Sequence, residues 1–288
     1  MVAARGVPGY AEHTRAIMSI TDDIRHYATA LDDLPVRLRA FRERAEAEES
    51  TTSPMCHARA QARARGAVAE ALIVDARARA LHASDACAEH VRAIARLLQS
   101  PERLYSAQVL ARSAMESAGL VRWMLNADPM DLVSRHLGRA REEQDRALSF
   151  LKSADVSDPA DRERLAQVKA DIVAMKERTL GAIKDLAIQP TPIGATALAR
   201  YGGESTEYDI YSGSTHGRLG SFLETRAMAN DDQGNAILFM NLISVAAPAY
   251  ISSIESLHQF VSGEQLPDDT LREVAESLGL AFEAVRLP

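Results

Sequence analysis

The sequence predicts an all-α protein, a multi-helix bundle of roughly eight or nine helices around a buried central helix pair. Apolar residues recur every three or four positions through most long segments, which is the period of an amphipathic helix. Only 5% of the 288 residues are aromatic, and 15 glycines and 11 prolines are few for that length, so long helices packed through small side chains are favoured. Hydrophobic residues make up 47% of the chain, which is enough for a sizeable core.

The first element is predicted from an apolar seam near the N-terminus. Its residues are spaced three and four apart: Ile17, Ile20, Ile24, Tyr27, Leu31 and Leu34. So narrow a seam is typical of a helical hairpin or of a dimer contact. Pro35 bends or ends this helix, and the segment Ser50 to Pro54 is the clearest hinge in the chain. We therefore divide the chain into an N-terminal helical hairpin, residues 1–54, and a main helical bundle domain, residues 55–288, with a homodimer through the helical seams as one hypothesis.

Boundary signals continue along the main domain. The region 55–99 is almost unbroken helix, and Gly66 is its weak point, so it forms one helix or two. An N-capping residue followed by proline then predicts three helix starts, at Ser100-Pro101, Asp128-Pro129 and Asp158-Pro159. The segment QPTPIG at 189–194 predicts a loop.

Two nearly uncharged segments predict the central pair. One runs from Leu104 to Ala127, and the other, from Gln233 to Ile254, carries no charge at all. The second is long enough to span a bilayer, but Pro248 and several polar residues interrupt it. We expect a central bundle helix and no membrane span.

Charge and cysteine content narrow the function classes. The net charge of −7 is spread along the chain without a basic block, so we expect no nucleic-acid partner. Cys56 and Cys87 form no C-x-x-C motif, and the first residues show no secretory leader, so a cytoplasmic location is expected. Metal-binding motifs are absent; His82, Asp85 and Glu89 share a helix face, but an ordinary exposed face is the expectation, with no metal and no cofactor.

The first candidate for chemistry is the couple Arg112 and Glu116 in the helix that begins near Leu104. At 100° per residue, one stripe of that helix holds Tyr105, Gln108, Arg112, Glu116, Gly119 and Trp123. A central helix would bury the couple, and buried charges need partners. Two interpretations stay open: a salt bridge that fixes helix packing, or one wall of a pocket.

The second candidate is His216. If its segment is helical, Tyr208, Ser212 and His216 lie on one face at four-residue intervals, with Tyr211 adjacent. Imidazole titrates near neutrality, so His216 is a candidate proton carrier, and a packing role is the alternative.

A third group consists of His136, Arg139 and Glu143, which share one face of the helix that follows Asp128. This group could meet Glu116 across the bundle interior. A solvated face is the favoured interpretation, because the charged run EEQDR follows immediately.

Two short motifs resemble an uncharacterised bacterial family of all-helical proteins grouped near the HEPN-like bundles. One is ARSAMESAGLVRWML at 111–125, an Arg-x3-Glu helix with a tryptophan further on, and the other is YDIYSGSTHG at 208–217. The matching positions are Arg112, Glu116, Trp123, Tyr211, Ser212 and His216. This resemblance covers roughly residues 55–262 and implies a helical bundle.

HEPN ribonucleases carry an arginine four to six residues before a histidine. Arg77 and His82 satisfy that spacing, but alanine follows the arginine where a polar residue is usual, and no arginine stands at this distance before His216. The resemblance therefore implies an inactive or repurposed bundle, and ribonuclease activity is disfavoured.

We expect a cytoplasmic helical bundle that binds a small polar or anionic ligand in an interior pocket built from Arg112, Glu116 and His216. In a catalytic version His216 is the general acid or base, Glu116 orients it, and Arg112 holds an anionic group of the substrate. The further ligand-binding candidates are Tyr105, Trp123, Tyr208, Tyr211, Ser212, His136 and Arg139. The alternative from another class is a non-catalytic, dimerising interaction protein or a toxin–antitoxin-like protein.

Overall fold

The computed structural model describes residues 10–47, 50–99, 104–153, 157–202 and 232–285. Within these ranges all regular secondary structure is helical, and no strand occurs in them. The predicted all-α class is confirmed.

Four helices form the first part of the chain: α1 (Tyr10–Arg37), α2 (Arg39–Ala47), α3 (Pro54–Arg63) and α4 (Ala67–Leu97). Pro35 lies inside the last turn of α1, which ends two residues later. The Ser53 hydroxyl caps α3 by accepting a hydrogen bond from the Cys56 amide at 3.1 Å. Gly66 has a φ of 127°, a conformation in which a helix cannot continue, so the region 55–99 forms two helices.

Seven more helices follow in the described ranges: α5 (Leu104–Leu125), α6 (Pro129–Ser153), α7 (Pro159–Asp185), α8 (Ala195–Gly202), α9 (Asp232–Ser262), α10 (Asp268–Leu278) and α11 (Phe282–Val285). The predicted start at Asp158 is confirmed, because its carboxylate accepts a hydrogen bond from the Ala160 amide at 2.7 Å. The helix predicted after Asp128 begins at Pro129. Ser100 and Pro101 lie outside the described residues.

The core forms where α5 packs against α4, α8 and α9. The face of α5 that meets these helices is made largely of alanines, including Ala107, Ala111, Ala114 and Ala118, all fully buried. Small side chains let the helix axes approach closely, as the composition predicts. α5 and α9 are thus the predicted central pair.

The segment Ala236–Ser262 of α9 is the one described helix that is long and apolar enough to cross a membrane by length and composition. In the structure 78% of its most apolar window is buried among the other helices. Burial of that extent is the environment of a core helix in a soluble protein.

The N-terminal seam is covered within the chain wherever it is described. Leu31 and Leu34 are fully buried in a cluster with residues of α4, α5 and α9, and Ile24 and Tyr27 pack against it. The side chains of Ile17 and Ile20 lie outside the described part. The division at residue 54 and a homodimer through the seams both stay predictions.

The segment before α8 is tied to α6 by hydrogen bonds. Ser134 Oγ donates to the Gln189 carbonyl at 2.6 Å, so the Thr191 hydroxyl is the donor in its 2.8 Å contact with Ser134 Oγ. The Thr191 amide also donates to the Ser134 carbonyl at 3.2 Å. These bonds fix the predicted 189–194 loop on α6 and so determine where α8 begins.

α8 then packs on α5 at backbone distance. A Cβ atom added to Gly119 would overlap the carbonyl oxygen of Leu198, and one added to Gly202 would overlap the carbonyl oxygen of Met115. Both obstacles are backbone atoms of a neighbouring helix, which cannot rotate away as a side chain can. Glycine is therefore required at both positions.

We expect Gly119→Ala to lower the free energy of unfolding by about 3 kcal/mol, because α5 and α8 must separate to admit the methyl group. Gly181→Ala in α7 is the matched control, since a Cβ there has nothing within 4 Å. That change should stabilise the protein by about 0.5–1 kcal/mol through helix propensity. Urea unfolding of both variants measures the difference, and equal stability of the two variants would contradict the described packing.

Candidate functional site

A cleft of about 460 Å³ opens where α4, α5 and α6 converge, and the start of α8 closes its fourth side. The polar side chains in its walls are Arg79, His82, His90, Ser113, Glu116, Ser117, Arg139, Glu143 and Arg146. They come from three helices separated by long stretches of sequence. Ala195 and Leu198 supply the wall from α8.

The α4 wall is one helical stripe. Arg79, His82, Ala86 and His90 recur at intervals of three and four residues, so all four side chains face the cleft. Burial lowers the pKa of His90 below its usual value, and the negative charges of Glu89 and Glu116 only partly oppose this. His90 is therefore a neutral imidazole at neutral pH, able to accept a proton.

The α5 wall carries the predicted ion pair. Arg112 Nε donates to Glu116 Oε1 at 2.7 Å, and the two side chains are 14% and 29% exposed. The expected burial of the pair is therefore only partial. The physical reason is that Glu116 faces the open cleft, beside the hydroxyl groups of Ser113 and Ser117.

The α6 wall is a chain of ion pairs. Glu143 accepts hydrogen bonds from Arg79 Nη1 and from Arg139 Nε, the latter at 2.9 Å. Arg139 Nη1 also donates to Glu142 at 3.3 Å, and Arg146 donates to the same carboxylate at 2.5 Å. Each guanidinium has five N–H donors, so these bonds orient the arginines without using all their donors.

The structure brings Glu116 and Arg139 of the predicted site residues to this cleft. Arg112 is bound to Glu116 but does not itself line the cleft. His136 lies on the same helix as Arg139 but lines the neighbouring cavity between α4, α6 and α7. The favoured interpretation, a solvated helix face, is wrong for His136. Its side chain is 6% exposed because α7 packs over this side of α6.

Trp123 is not brought into the cleft. Its ring is buried in the apolar core, with the guanidinium of Arg135 5.3 Å from the ring centre. Arg135 also donates to the Trp123 carbonyl. These contacts give Trp123 a packing role at the end of α5.

The remaining predicted site residues lie outside what is described. Tyr105 is in the first turn of α5, and its side chain is not covered by the description. Tyr208, Tyr211, Ser212 and His216 lie outside the described residues. The convergence of Arg112, Glu116 and His216 therefore stays a prediction.

The fold separates the residues of two other sequence patterns. One is the Arg77–His82 spacing, and the other is the shared helix face of His82, Asp85 and Glu89. Arg77 donates to the carbonyl oxygens of Ala45 and Glu46 at the end of α2, so the guanidinium stands apart from the cleft that His82 lines. Asp85 pairs with Arg42 at 2.8 Å. Among the described residues no group of three or more metal-binding side chains is found.

Sequence analysis missed Arg79 and His90 as cleft residues. Their only signal was a shared helical stripe with His82, and many alanine-rich helices carry such a stripe on a solvated face. The deciding fact is the crossing of α4 with α5 and α6, which involves residues far apart in the chain.

Comparisons with known proteins returned no similar protein: no family model, no curated protein and no solved structure matches this chain.

The buried imidazole of His136 predicts a specific pH dependence of stability. Burial, aided by the positive charge of Arg79, lowers the pKa of His136 to about 4. Below a pH of about 6.5 the unfolded chain takes up a proton at this residue that the folded chain does not, so stability falls as the pH falls toward 4.

We expect the free energy of unfolding of the wild type to drop by about 2 kcal/mol more between pH 7 and pH 5 than that of His136→Gln. Urea titrations at both pH values measure the difference. His57→Gln, at an exposed position of α3, is the control and should follow the wild type. Parallel pH profiles for wild type and His136→Gln would contradict burial of a neutral imidazole.

Proposed function

We propose that the cleft binds a small polar ligand that carries an anionic group, such as a phosphate or a carboxylate. The observation that carries the proposal is the convergence of three arginines in one cleft: Arg79 from α4, and Arg139 and Arg146 from α6. Guanidinium groups match the geometry of carboxylate and phosphate oxygens and bind them through paired hydrogen bonds.

The charge balance supports an anion. The connected ion pairs along the α6 wall join three guanidiniums (Arg79, Arg139, Arg146) to two carboxylates (Glu142, Glu143), and Glu116 is paired separately with Arg112. This network therefore has one more positive group than negative groups. The carboxylates already hold the arginine side chains in place. These side chains therefore lose little conformational entropy when a ligand binds.

The opposite wall suits a different part of the ligand. Glu116 offers an acceptor, and the hydroxyl groups of Ser113 and Ser117 both donate and accept. A ligand with a hydroxyl or amino group at one end and an anionic group at the other would satisfy both walls.

The proposal extends to acid/base chemistry. His90 supplies a neutral imidazole in the same cleft as the carboxylate of Glu116, and such a pair can accept and return a proton. The earlier assignment of His216 as the proton carrier stays a prediction. We place the protein in the cytoplasm, on the strength of its two free cysteines.

An interaction protein is the second candidate. One observation favours it: α7 has no buried residue, and its apolar side chains Val168, Val173 and Leu180 are exposed. Exposed apolar surface of this kind is typical of protein contacts. Self-association in sedimentation velocity that Leu180→Lys removes would favour this candidate.

The anion site is tested with inorganic phosphate by isothermal titration calorimetry at low salt. We expect wild-type protein to bind phosphate, and Arg146→Gln to weaken binding about fivefold, since an exposed guanidinium is partly screened. Arg164→Gln is the matched control, because Arg164 lies on α7 and pairs only locally with Asp161 in the described contacts. Absence of phosphate binding, or equal weakening by both substitutions, would rule out the cleft as an anion site.

A further inference from the structure

A second cavity, of about 650 Å³, lies beside the cleft and has a different character. α6 forms its floor, and α4 and α7 form its walls; we call it the trough. Its walls are mainly apolar, with Leu72 on α4 and Met175 on α7, and the charged side chains of Asp75 and Arg178, which also line it, are exposed to solvent. α7 packs on α6 and makes only sparse contact with α4, so the two apolar faces stand apart.

Unpartnered polar atoms mark the trough as more than an apolar gap. Nδ1 of His136 and Oε1 of Gln144 are both enclosed, and neither has a hydrogen-bond partner. The two residues are 6% and 8% exposed, and both line the trough. Folded proteins leave few enclosed polar atoms without a partner, because each one destabilises the fold. Both side chains line the trough, so an occupant of the trough is one source of such a partner.

The hydrogen bonds around Gln144 fix what that partner must be. The Thr179 hydroxyl donates to the Met175 carbonyl at 3.0 Å, so its oxygen can only accept from Gln144 Nε2, also at 3.0 Å. This orients the amide and leaves Gln144 Oε1 as the unused acceptor. A partner at this end must therefore donate a hydrogen bond.

The other end of the trough selects an uncharged group. At neutral pH the His136 imidazole is neutral and offers one N–H and one lone pair. It can bind a hydroxyl group or an amide, but it provides no positive charge to hold an anion. The nearby guanidinium of Arg79 donates from Nη1 to Glu143, which lines the cleft and not the trough.

The spacing of the two ends sets the length of the ligand. His136 and Gln144 are eight residues apart on α6, a rise of about 12 Å. Ala140 lies between them on the floor, with Leu72 and Met175 on the walls. We propose that the trough binds an elongated, uncharged amphiphilic small molecule, with a hydroxyl or amide group at each end and an apolar middle. This site goes beyond the anion site proposed for the cleft.

The probe is a straight eight-carbon diol with a hydroxyl at each end, and binding is measured by NMR titration of the full chain. We expect the diol to bind more tightly than the eight-carbon alcohol with a single hydroxyl. Gln144→Leu should remove this preference, because the second hydroxyl then has no acceptor. This readout compares two ligands on one protein, so a loss of stability in the variant does not produce it.

Two lysine substitutions at exposed positions of α7 provide a matched pair. Met175 and Val173 are 47% and 40% exposed, but only Met175 lines the trough. Met175→Lys should weaken diol binding at least tenfold, because it places a charge beside the apolar middle, and Val173→Lys should change it less than twofold.

Three results would overturn the proposal. The first is no binding of the diol to the wild type, which would mean that ordered water alone satisfies the enclosed atoms. The second is equal binding of diol and single alcohol. The third is a concentration-dependent dimer, lost in Met175→Lys and kept in Val173→Lys, with no diol binding, which would make a second copy of the chain the occupant.

Discussion

Gly119 of α5 and Gly202 of α8 let two helix backbones touch, and the position of the cleft follows from that contact. α8 is only eight residues long, so it depends on neighbours for its helical form. The contact with α5 and the hydrogen bonds from Thr191 to α6 hold it at both ends. The start of α8 then lies across the gap between α5 and α6, where Ala195 and Leu198 close the cleft.

The arginines of the cleft illustrate how a charged site is built on a helical scaffold. Glu143 accepts hydrogen bonds from Arg79 of α4 and from Arg139 of its own helix, α6. The carboxylate therefore links α4 to α6 and holds two guanidiniums at once. Pairs that are still partly open to solvent, as these are, contribute little to stability. Their clearer effect is to fix the direction of each guanidinium, which a ligand needs for paired hydrogen bonds. The trough depends on helix packing instead of ion pairs. α7 packs on α6 but makes only sparse contact with α4, so a space with mainly apolar walls stays open between α4 and α7.

The fold was largely predictable because its signals are local. Proline after a capping residue marked the starts of α6 and α7, and Gly66 marked the break before α4. The central role of α9 followed from its uncharged stretch at 233–254. The site was only partly predictable. The Arg112–Glu116 pair could be predicted because the two residues are four positions apart in one helix, whereas the contact of Arg79 with Glu143 depends on how two helices cross. The charged face of α6 resembled a solvated surface for the same reason, because sequence does not show that α4 and α7 pack on either side of it.

The most direct measurement of the central claim is the position of a bound anion. Tungstate has the charge and shape to replace phosphate, and its anomalous scattering locates it without ambiguity in a crystal. Our account predicts a peak in the cleft between α4 and α6, within hydrogen-bond distance of Arg139 or Arg146, with Glu143 still bound to Arg79. A peak elsewhere with the cleft vacant, or arginines turned away from the cleft into solvent, would contradict the assignment of this cleft as the binding site.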